Sequence, residues 1–202
     1  MSKKKAKFLL NSVLLFFLIT VFLFVYNQNG IKADSELGIL KSEKEFNIFL
    51  KNKNVKFSIK SYFKNGSNKN YLFSEASLFK VKKIELLGFE EDVNLCSKST
   101  LELGREEGIC LVGDVGAHSQ NIAFLNTNMS LLKIHEAGNE LYSIVSDLPS
   151  YQITDYNSDG SDDLIIYNRD YDKNPLVDSI KSYYLWAGDG YAFDKAENVA
   201  VK

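Results

Sequence analysis

The sequence predicts a mainly β protein with antiparallel sheets, preceded by an apolar helix at the N-terminus. After residue 54, apolar residues alternate with polar ones, as Val55, Phe57 and Ile59 do, which is the period of a half-buried strand. Asn65 and Gly66 lie between two such runs and form the strongest short signal of a hairpin turn. The chain has 202 residues, 45% of them hydrophobic, which suits one folded domain with a core and an appendage.

The appendage comprises residues 1–33. Met1 to Lys7 contains four lysines, and Phe8 to Tyr26 is almost wholly apolar. As a helix this apolar run spans about 28 Å, close to the hydrocarbon thickness of a bilayer. The positive-inside rule keeps the lysines in the cytoplasm and sends the rest of the chain into the periplasm or cell exterior. Two interpretations stay open: a retained signal anchor, which the length of the apolar run favours, and a signal peptide cleaved after Ala33.

Cysteine usage agrees with export from the cytoplasm. Cys96 and Cys110 are the two cysteines of the chain, and in an oxidising compartment they would most simply pair as a disulfide. The alternatives are two reduced, buried thiols or a pair of metal ligands, although no further cysteine or histidine stands beside them. The formal net charge of −2 and the lack of a basic stripe argue against nucleic-acid binding.

Residues 34–41 read as a tether, and residues 42–202 as the exported β domain. Residues 42–45, Ser-Glu-Lys-Glu, match a helix capping box, and Phe46, Phe49 and Leu50 follow at helical spacing. A short capping helix is therefore predicted over Ser42 to Lys51. Further strands are predicted at residues 71–73, 78–86, 109–112, 122–125, 131–134, 141–145, 164–167, 182–187 and 191–193.

Oxygen-bearing side chains recur on alternate residues of the segment 155–163, around a glycine that permits a sharp turn. Ca²⁺ takes about six to eight oxygen ligands, and calcium loops supply them from positions 1, 3 and 5, a carbonyl at position 7 and a later carboxylate. The corresponding candidates are Asp155, Asn157, Asp159, the carbonyl of Ser161, and Asp163, with Gly160 at position 6. Asp162 is expected to hydrogen-bond a water molecule that the ion holds.

This segment does not fit an EF-hand, because position 12 is Ile166 instead of glutamate and the residues after Gly160 read as a strand. The pattern D-x-N-x-D-G-x-x-D-L-I resembles the FG-GAP or VCBS-type repeat of integrin-like β-propellers, over roughly residues 149–195. The resemblance implies Ca²⁺ as the cofactor, the ligand set named above, and a loop that joins two strands of one blade. The alternative is an acidic turn without metal, since the same residue types are common in turns.

The same resemblance implies one or two propeller-blade-like units of four strands. Trp186, Gly190 and Phe193 fit the aromatic, glycine and aromatic residues that end such repeats, and residues 113–145 are the candidate for a second, degenerate unit. Because a propeller needs about four to eight blades, a closed propeller from this chain alone is not expected.

A second acidic run repeats the offsets of the first. Its residues are Asp170, Asp172, Asn174 and Asp178. Pro175 occupies the position at which the first loop has glycine, and proline cannot adopt the positive φ required there. A hairpin turn without metal is therefore favoured over a second calcium site.

Residues 114–121 contain the cluster that looks most like a catalytic one, with His118 beside Ser119. Adjacent residues of an extended chain point to opposite faces, so a tight turn with local hydrogen bonds is favoured over a nucleophile and its base. The sequence contains no nucleotide-binding glycine loop, no zinc-binding spacing of cysteine and histidine, and no nucleophile elbow.

The leading hypothesis is a bacterial-type extracytoplasmic domain, membrane-anchored or secreted, that binds calcium and acts as a structural or interaction module. Its expected partners are the membrane, through the N-terminal helix, a second copy of the chain, and a protein or glycan ligand. The glycan would bind an aromatic surface around Tyr183, Tyr184 and Trp186. The alternative hypothesis is an exported hydrolase that uses His118, with the calcium loop as a scaffold.

Overall fold

The computed structural model describes residues 14–21, 37–51, 53–77, 80–89, 92–115, 118–147, 151–169 and 178–200. The chain forms two units, Met1–Ile39 and Leu40–Lys202. Residues 14–21 are helical, and among the described residues no helix has the length and apolar character needed to cross a membrane. Most of the apolar run, residues 8–13 and 22–26, lies outside the described residues. The signal anchor or signal peptide therefore stays a prediction.

The described part of the second unit consists of strands joined by turns. In chain order they are β1 Ile39–Leu50, β2 Lys53–Lys64, β3 Ser67–Ser77, β4 Lys80–Leu86, β5 Val93–Leu103, β6 Glu106–Asp114, β7 Gln120–Asn126, β8 Lys133–Glu136, β9 Asn139–Leu141, β10 Ile144–Ser146, β11 Tyr151–Thr154, β12 Asp163–Arg169, β13 Asp178–Trp186 and β14 Gly190–Ala200. The prediction of a mainly β protein is confirmed.

These strands form three sheets. The first sheet has the order β1-β2-β3-β4, the central sheet β10-β7-β6-β5, and the third sheet β11-β12-β13-β14-β8-β9. The hairpin predicted at Asn65 and Gly66 joins β2 to β3, and both residues have the positive φ, 53° and 84°, that a tight two-residue turn requires. Neighbouring strands pair antiparallel in β2 to β4, in the central sheet and in β11 to β14, whereas β14 pairs parallel with β8.

The central sheet is buried on both faces, and its side chains alternate between two hydrophobic cores. The first core, shared with the first sheet, contains Ile109, Leu111, Ala123 and Leu125. The second core, shared with the third sheet, contains Cys110, Ile122 and Phe124. Because every side chain from Ile109 to Leu111 and from Ile122 to Leu125 has a core to enter, these segments are continuous apolar runs.

The predicted capping helix over Ser42 to Lys51 is wrong, because residues 42–50 belong to strand β1. The apolar residues fit two periods, a helical one through Phe46, Phe49 and Leu50 and a period of two through Phe46, Ile48 and Leu50. The structure buries Ile48 and Leu50, at 7% and 3% exposure, and leaves Phe49 76% exposed. The Phe46 ring stacks on Phe57 of β2 at 5.0 Å, so packing on the first sheet selects the period of two.

The four strands that the sequence predicts after residue 150 are present as β11, β12, β13 and β14, in consecutive antiparallel order within a sheet of six strands. The second unit predicted over residues 113–145 is wrong, because its strands are divided between two sheets. Strands β7 and β10 belong to the central sheet, whereas β8 and β9 extend the third sheet. The predicted strand at 141–145 is likewise two short strands in different sheets.

Substitutions at two adjacent positions of β1 test its register. Ile48→Ala should lower the free energy of unfolding by about 3 kcal/mol, because it removes buried apolar atoms and leaves a cavity. Phe49→Ala should change it by less than about 0.5 kcal/mol, because that ring is exposed. Urea denaturation of both variants provides the measurement. A larger loss for Phe49→Ala than for Ile48→Ala would contradict the strand.

Candidate functional site

The candidate calcium loop connects two paired strands of the third sheet. Strand β11 ends at Thr154, strand β12 begins at Asp163, and these two residues are partners in the antiparallel register. The loop of residues 155–162 therefore leaves the sheet and returns to it at the same place. Residues 155–160 are exposed, whereas Ser161, Asp162 and Asp163 are buried.

The first three candidate ligands turn inward onto the loop backbone. Asp155 accepts hydrogen bonds from the backbone N–H of Asp159 through Oδ1 and from that of Gly160 through Oδ2, both at 3.0 Å. The Oδ1 of Asn157 also accepts from the N–H of Asp159, at 3.0 Å. The side-chain oxygens of Asp155 and Asn157, at positions 1 and 3 of the loop, therefore accept from the same N–H group. Gly160 has a φ of +87°, which glycine adopts without the strain that a Cβ would cause.

Asp159 completes this local network. Its Oδ1 accepts from the N–H of Ser161 and its Oδ2 from the side-chain amide of Asn157, both at 2.8 Å. These hydrogen bonds, of which the one from Asn157 has the largest effect, hold the pKa of Asp159 below its ordinary value. The side chain is consequently an ionised oxygen donor at neutral pH.

Asp163 forms hydrogen bonds that hold the two ends of the loop in place. It is 0% exposed, and its carboxylate accepts backbone N–H groups of Tyr156 at 3.0 Å, Asn157 at 3.4 Å and Trp186 at 2.9 Å. Burial raises the pKa of Asp163, the three hydrogen bonds oppose that change, and the nearby charge of Asp159 adds to it. Asp163 thus joins both ends of the loop to β13.

The donor types of this loop fit a hard cation such as Ca²⁺, which binds carboxylate, amide and backbone oxygens. An ionised carboxylate oxygen that accepts one N–H keeps a second lone pair for a cation. Among the residues that the structure describes, however, no three or more histidine, cysteine, aspartate or glutamate side chains lie close enough together to hold a metal ion. Calcium binding by Asp155, Asn157, Asp159, the Ser161 carbonyl and Asp163 therefore stays a prediction.

The sequence led us to expect that Asp162 hydrogen-bonds a water molecule inside the loop, but its carboxylate instead bonds to residues of β5. Its Oδ1 accepts from the Nζ of Lys98 at 2.6 Å, and its Oδ2 accepts from the backbone N–H of Glu102 at 2.8 Å. Its own N–H donates to the carbonyl of Glu102 at 2.6 Å. Both partners belong to β5, so Asp162 fixes the loop to the central sheet.

The predicted disulfide between Cys96 and Cys110 is confirmed, with Cα atoms 5.4 Å apart. It lies at an irregularity of β5, where the pairing with β6 jumps from Leu95 and Leu111 to Thr100 and Ile109. Residues 96–99 therefore form a bulge opposite Cys110, and the disulfide ties this bulge to β6. Lys98, which forms the ion pair with Asp162, lies in this bulge. The N–H of Ser97, in the same bulge, donates to the Tyr151 hydroxyl at 3.2 Å.

The catalytic-looking cluster is not assembled as a triad among the described residues. His118 is exposed in the bend between β6 and β7. The Ser119 hydroxyl donates to the carboxylate of Asp147 at 3.1 Å, so its described partner is an acid instead of the imidazole. The second histidine, His135, is half-buried, with its Nε2 at 3.7 Å from a carboxylate oxygen of Asp189.

The aromatic residues proposed for glycan binding lie mainly inside the protein. Tyr183 and Tyr184 are 4% and 2% exposed, and Trp186 is half-buried against the second core. The Tyr184 hydroxyl donates to Glu136 at 2.9 Å, and burial of the ring raises the pKa of that hydroxyl. These three side chains do not together form an exposed aromatic platform.

The second acidic run lies largely outside the described residues. This applies to Asp170, Asp172 and Asn174, while Asp178 begins strand β13 with a side chain that is not described. The prediction of a turn without metal there stays a prediction.

Comparison with known proteins adds no assignment. No protein-family model matches the chain, and neither the curated proteins nor the solved structures include a match. The resemblance of residues 149–195 to an FG-GAP repeat thus rests on the residues themselves.

Removing the carboxylate of Asp163 should destabilise the domain whether or not calcium is present. Asp163→Ala leaves three backbone N–H groups without their acceptor, at a cost of about 3 kcal/mol. Asp163→Asn, which keeps one carbonyl oxygen, should lose less. Urea denaturation in chelator provides the measurement, and an Asp163→Ala variant as stable as the parent would contradict this role.

Removing the disulfide should also destabilise the domain. Cys96→Ala combined with Cys110→Ala opens a closed loop of about fifteen residues, with an expected loss of about 3 kcal/mol. Hydrogen exchange should show faster exchange at residues 97–99 than in the parent. Reduction of the parent protein provides a second route to the same state. Unchanged stability by both routes would show that the bulge holds its position without the bond.

Proposed function

We propose that this protein is an exported calcium-binding β domain, in which an ion held by residues 155–163 stabilises the fold of a structural or interaction module. The observation that carries the proposal is the meeting of the Asp155 and Asn157 oxygens at the Asp159 amide, beside Gly160 at positive φ. A loop that already draws two of these oxygens together has part of the arrangement that a cation requires.

The surroundings of the loop support the FG-GAP-like interpretation. The loop joins the first two of four consecutive antiparallel strands, β11 to β14, of the third sheet. The three sheets of the domain also pack in series, as the two cores on either side of the central sheet require. Blades of a propeller are four-stranded sheets arranged around a central channel, and the proposal treats residues 149–195 as one unit of that kind.

The proposed location is outside the cytoplasm, with the N-terminal apolar segment as a membrane anchor or as a cleaved signal. The disulfide supports this location, because such bonds form and persist in oxidising compartments. Extracellular calcium concentrations also suit a loop of modest affinity, since extracellular modules bind Ca²⁺ with dissociation constants of about 10⁻⁴ to 10⁻³ M.

Calcium would act on the contact between the third and the central sheet. Asp162 lies in the same loop as the candidate ligands and bonds to Lys98 and Glu102 of β5. An ion that orders the exposed half of the loop would therefore strengthen its attachment to the central sheet. A ligand that binds only the folded state adds RT ln(1 + [L]/Kd) to the free energy of unfolding.

Thermal unfolding in calcium and in chelator tests the proposal. At a calcium concentration one hundred times Kd, the parent should gain about 2.7 kcal/mol. For a domain of this size, that gain corresponds to a rise in Tm of about 5 to 11 °C. Asp159→Asn keeps an oxygen that can accept the Ser161 N–H but removes the charge, and it should lose most of the calcium-dependent gain.

Asp194→Asn is the matched control, because Asp194 is an exposed carboxylate of β14 outside the loop. It should keep the full calcium response. Isothermal titration that detects no heat of Ca²⁺ binding to the parent, together with equal Tm values in calcium and in chelator, would refute the calcium proposal.

A further inference from the structure

The disulfide and the acidic loop are connected through one short segment of β5. Residues 96–99 lie opposite the single residue Cys110 of β6, so they form a wide bulge. The extra residues of a bulge are left outside the ladder of backbone hydrogen bonds between the two strands. Cys96 is buried in the second core, whereas Ser97 and Lys98 are exposed. The position of this segment therefore depends on contacts other than strand pairing.

The bulge contacts the third sheet on both sides of the acidic loop. Before the loop, the hydroxyl of Tyr151 in β11 accepts from the N–H of Ser97 at 3.2 Å. At the end of the loop, the carboxylate of Asp162 accepts from the Nζ of Lys98 at 2.6 Å. Two adjacent residues of the bulge thus hold the strand that leads into the loop and the residue that ends it. The disulfide ties the neighbouring residue, Cys96, to β6.

Asp162 is the group that responds when the bulge moves. Its side chain is 6% exposed, and that of Lys98 is 45% exposed. When Lys98 leaves, the carboxylate keeps the hydrogen bond from the N–H of Glu102, but its charge is no longer compensated by the ammonium group. A buried carboxylate without a counter-charge is destabilising, and transfer into water removes that cost. Release of the loop end from β5 is therefore the expected response.

We propose that the disulfide is a redox-sensitive switch for the docking of the acidic loop on the central sheet. With the bond formed, the bulge holds Lys98 against Asp162 and the loop is docked. With the bond reduced, the bulge moves, the ion pair is lost and residues 155–162 detach from β5. Because the candidate calcium ligands belong to the same loop, reduction would also weaken calcium binding, a consequence that rests on the proposed function.

A dithiol reductant brings about this change by thiol–disulfide exchange. Its thiolate attacks the Sγ of Cys96, which begins the exposed bulge, and Cys110 leaves as a thiolate that takes up a proton. The second thiol of the reductant then displaces Cys96, so that two electrons pass to the protein and the reductant becomes a cyclic disulfide. Cytoplasmic thiols are kept reduced, whereas disulfides persist in oxidising compartments. The loop would therefore dock only after the chain reaches an oxidising compartment.

Hydrogen exchange of the full chain, followed in chelator, tests the proposal. The parent is compared with the parent reduced by dithiothreitol and with Cys96→Ala combined with Cys110→Ala. The amides of Glu102 and Asp162 join β5 to the end of the loop. In the two states without the bond, their exchange should rise about tenfold or more beyond any rise at the amides of β2 and β3, which report global unfolding.

Lys98→Met isolates the ion pair, because it removes the ammonium group and leaves the disulfide in place. It should raise exchange at Glu102 and Asp162 in the oxidised protein. Reduction should then add little, since both changes act on the same contact. Lys69→Met is the matched control, because that side chain is 44% exposed and pairs with Glu85 in the first sheet. It should respond to reduction like the parent.

Two outcomes would overturn the proposal. One is exchange at Glu102 and Asp162 that rises in the reduced parent no more than at β2 and β3. The other is a Lys98→Met variant that responds to reduction as strongly as the parent, and this variant decides the question where the cysteine variant does not fold. Neither outcome depends on calcium, because both are measured in chelator.

A calcium titration of the oxidised and the reduced protein gives a separate result. Binding should be weaker in the reduced protein, by about fivefold or more. No binding by the oxidised parent would refute the calcium proposal and leave the switch to be judged by hydrogen exchange. Binding of equal strength in both states would show that the docking of the loop does not control its affinity for calcium.

Discussion

The attachment of the acidic loop to the central sheet depends on one buried carboxylate, that of Asp162. Its side chain is 6% exposed, and a buried carboxylate without partners is strongly destabilising. Lys98 and the Glu102 amide compensate this charge, and both come from β5. Lys98 reaches the carboxylate because it lies in the bulge of residues 96–99, which the disulfide to Cys110 ties down. The geometry of the loop therefore depends on a covalent bond in a different sheet.

The central sheet makes this arrangement possible because it is buried on both faces. Cys110 points into the core shared with the third sheet, while its neighbours Ile109 and Leu111 point into the core shared with the first. The disulfide consequently lies on the same side as the acidic loop. A register shifted by one residue would exchange the two faces, moving the cysteines away from the third sheet and their apolar neighbours toward it.

Local patterns in the sequence were sufficient for the hairpin at Asn65 and Gly66, for the four strands after residue 150 and for the disulfide. They failed where a pattern was ambiguous or where distant segments meet. Residues 46–50 fit two periods, and packing of Phe46, Ile48 and Leu50 in the first core selects the strand. Strand β5 was missed because its polar bulge interrupts the alternation. The ion pair between Lys98 and Asp162 has no local signal, since the two residues are 64 positions apart in the chain.

Asp162 and Asp163 also show why the polar side chains of residues 155–163 divide into two classes. Side chains of consecutive extended residues point to opposite sides, so Asp162 bonds to the central sheet while Asp163 accepts N–H groups of its own loop and of β13. These two buried carboxylates hold the loop, whereas the side chains of residues 155–160 are exposed. The exposed donors are thus not required to keep a buried charge compensated. Their oxygens can be given to a cation at little cost to the rest of the fold, which is the physical basis for proposing an ion there.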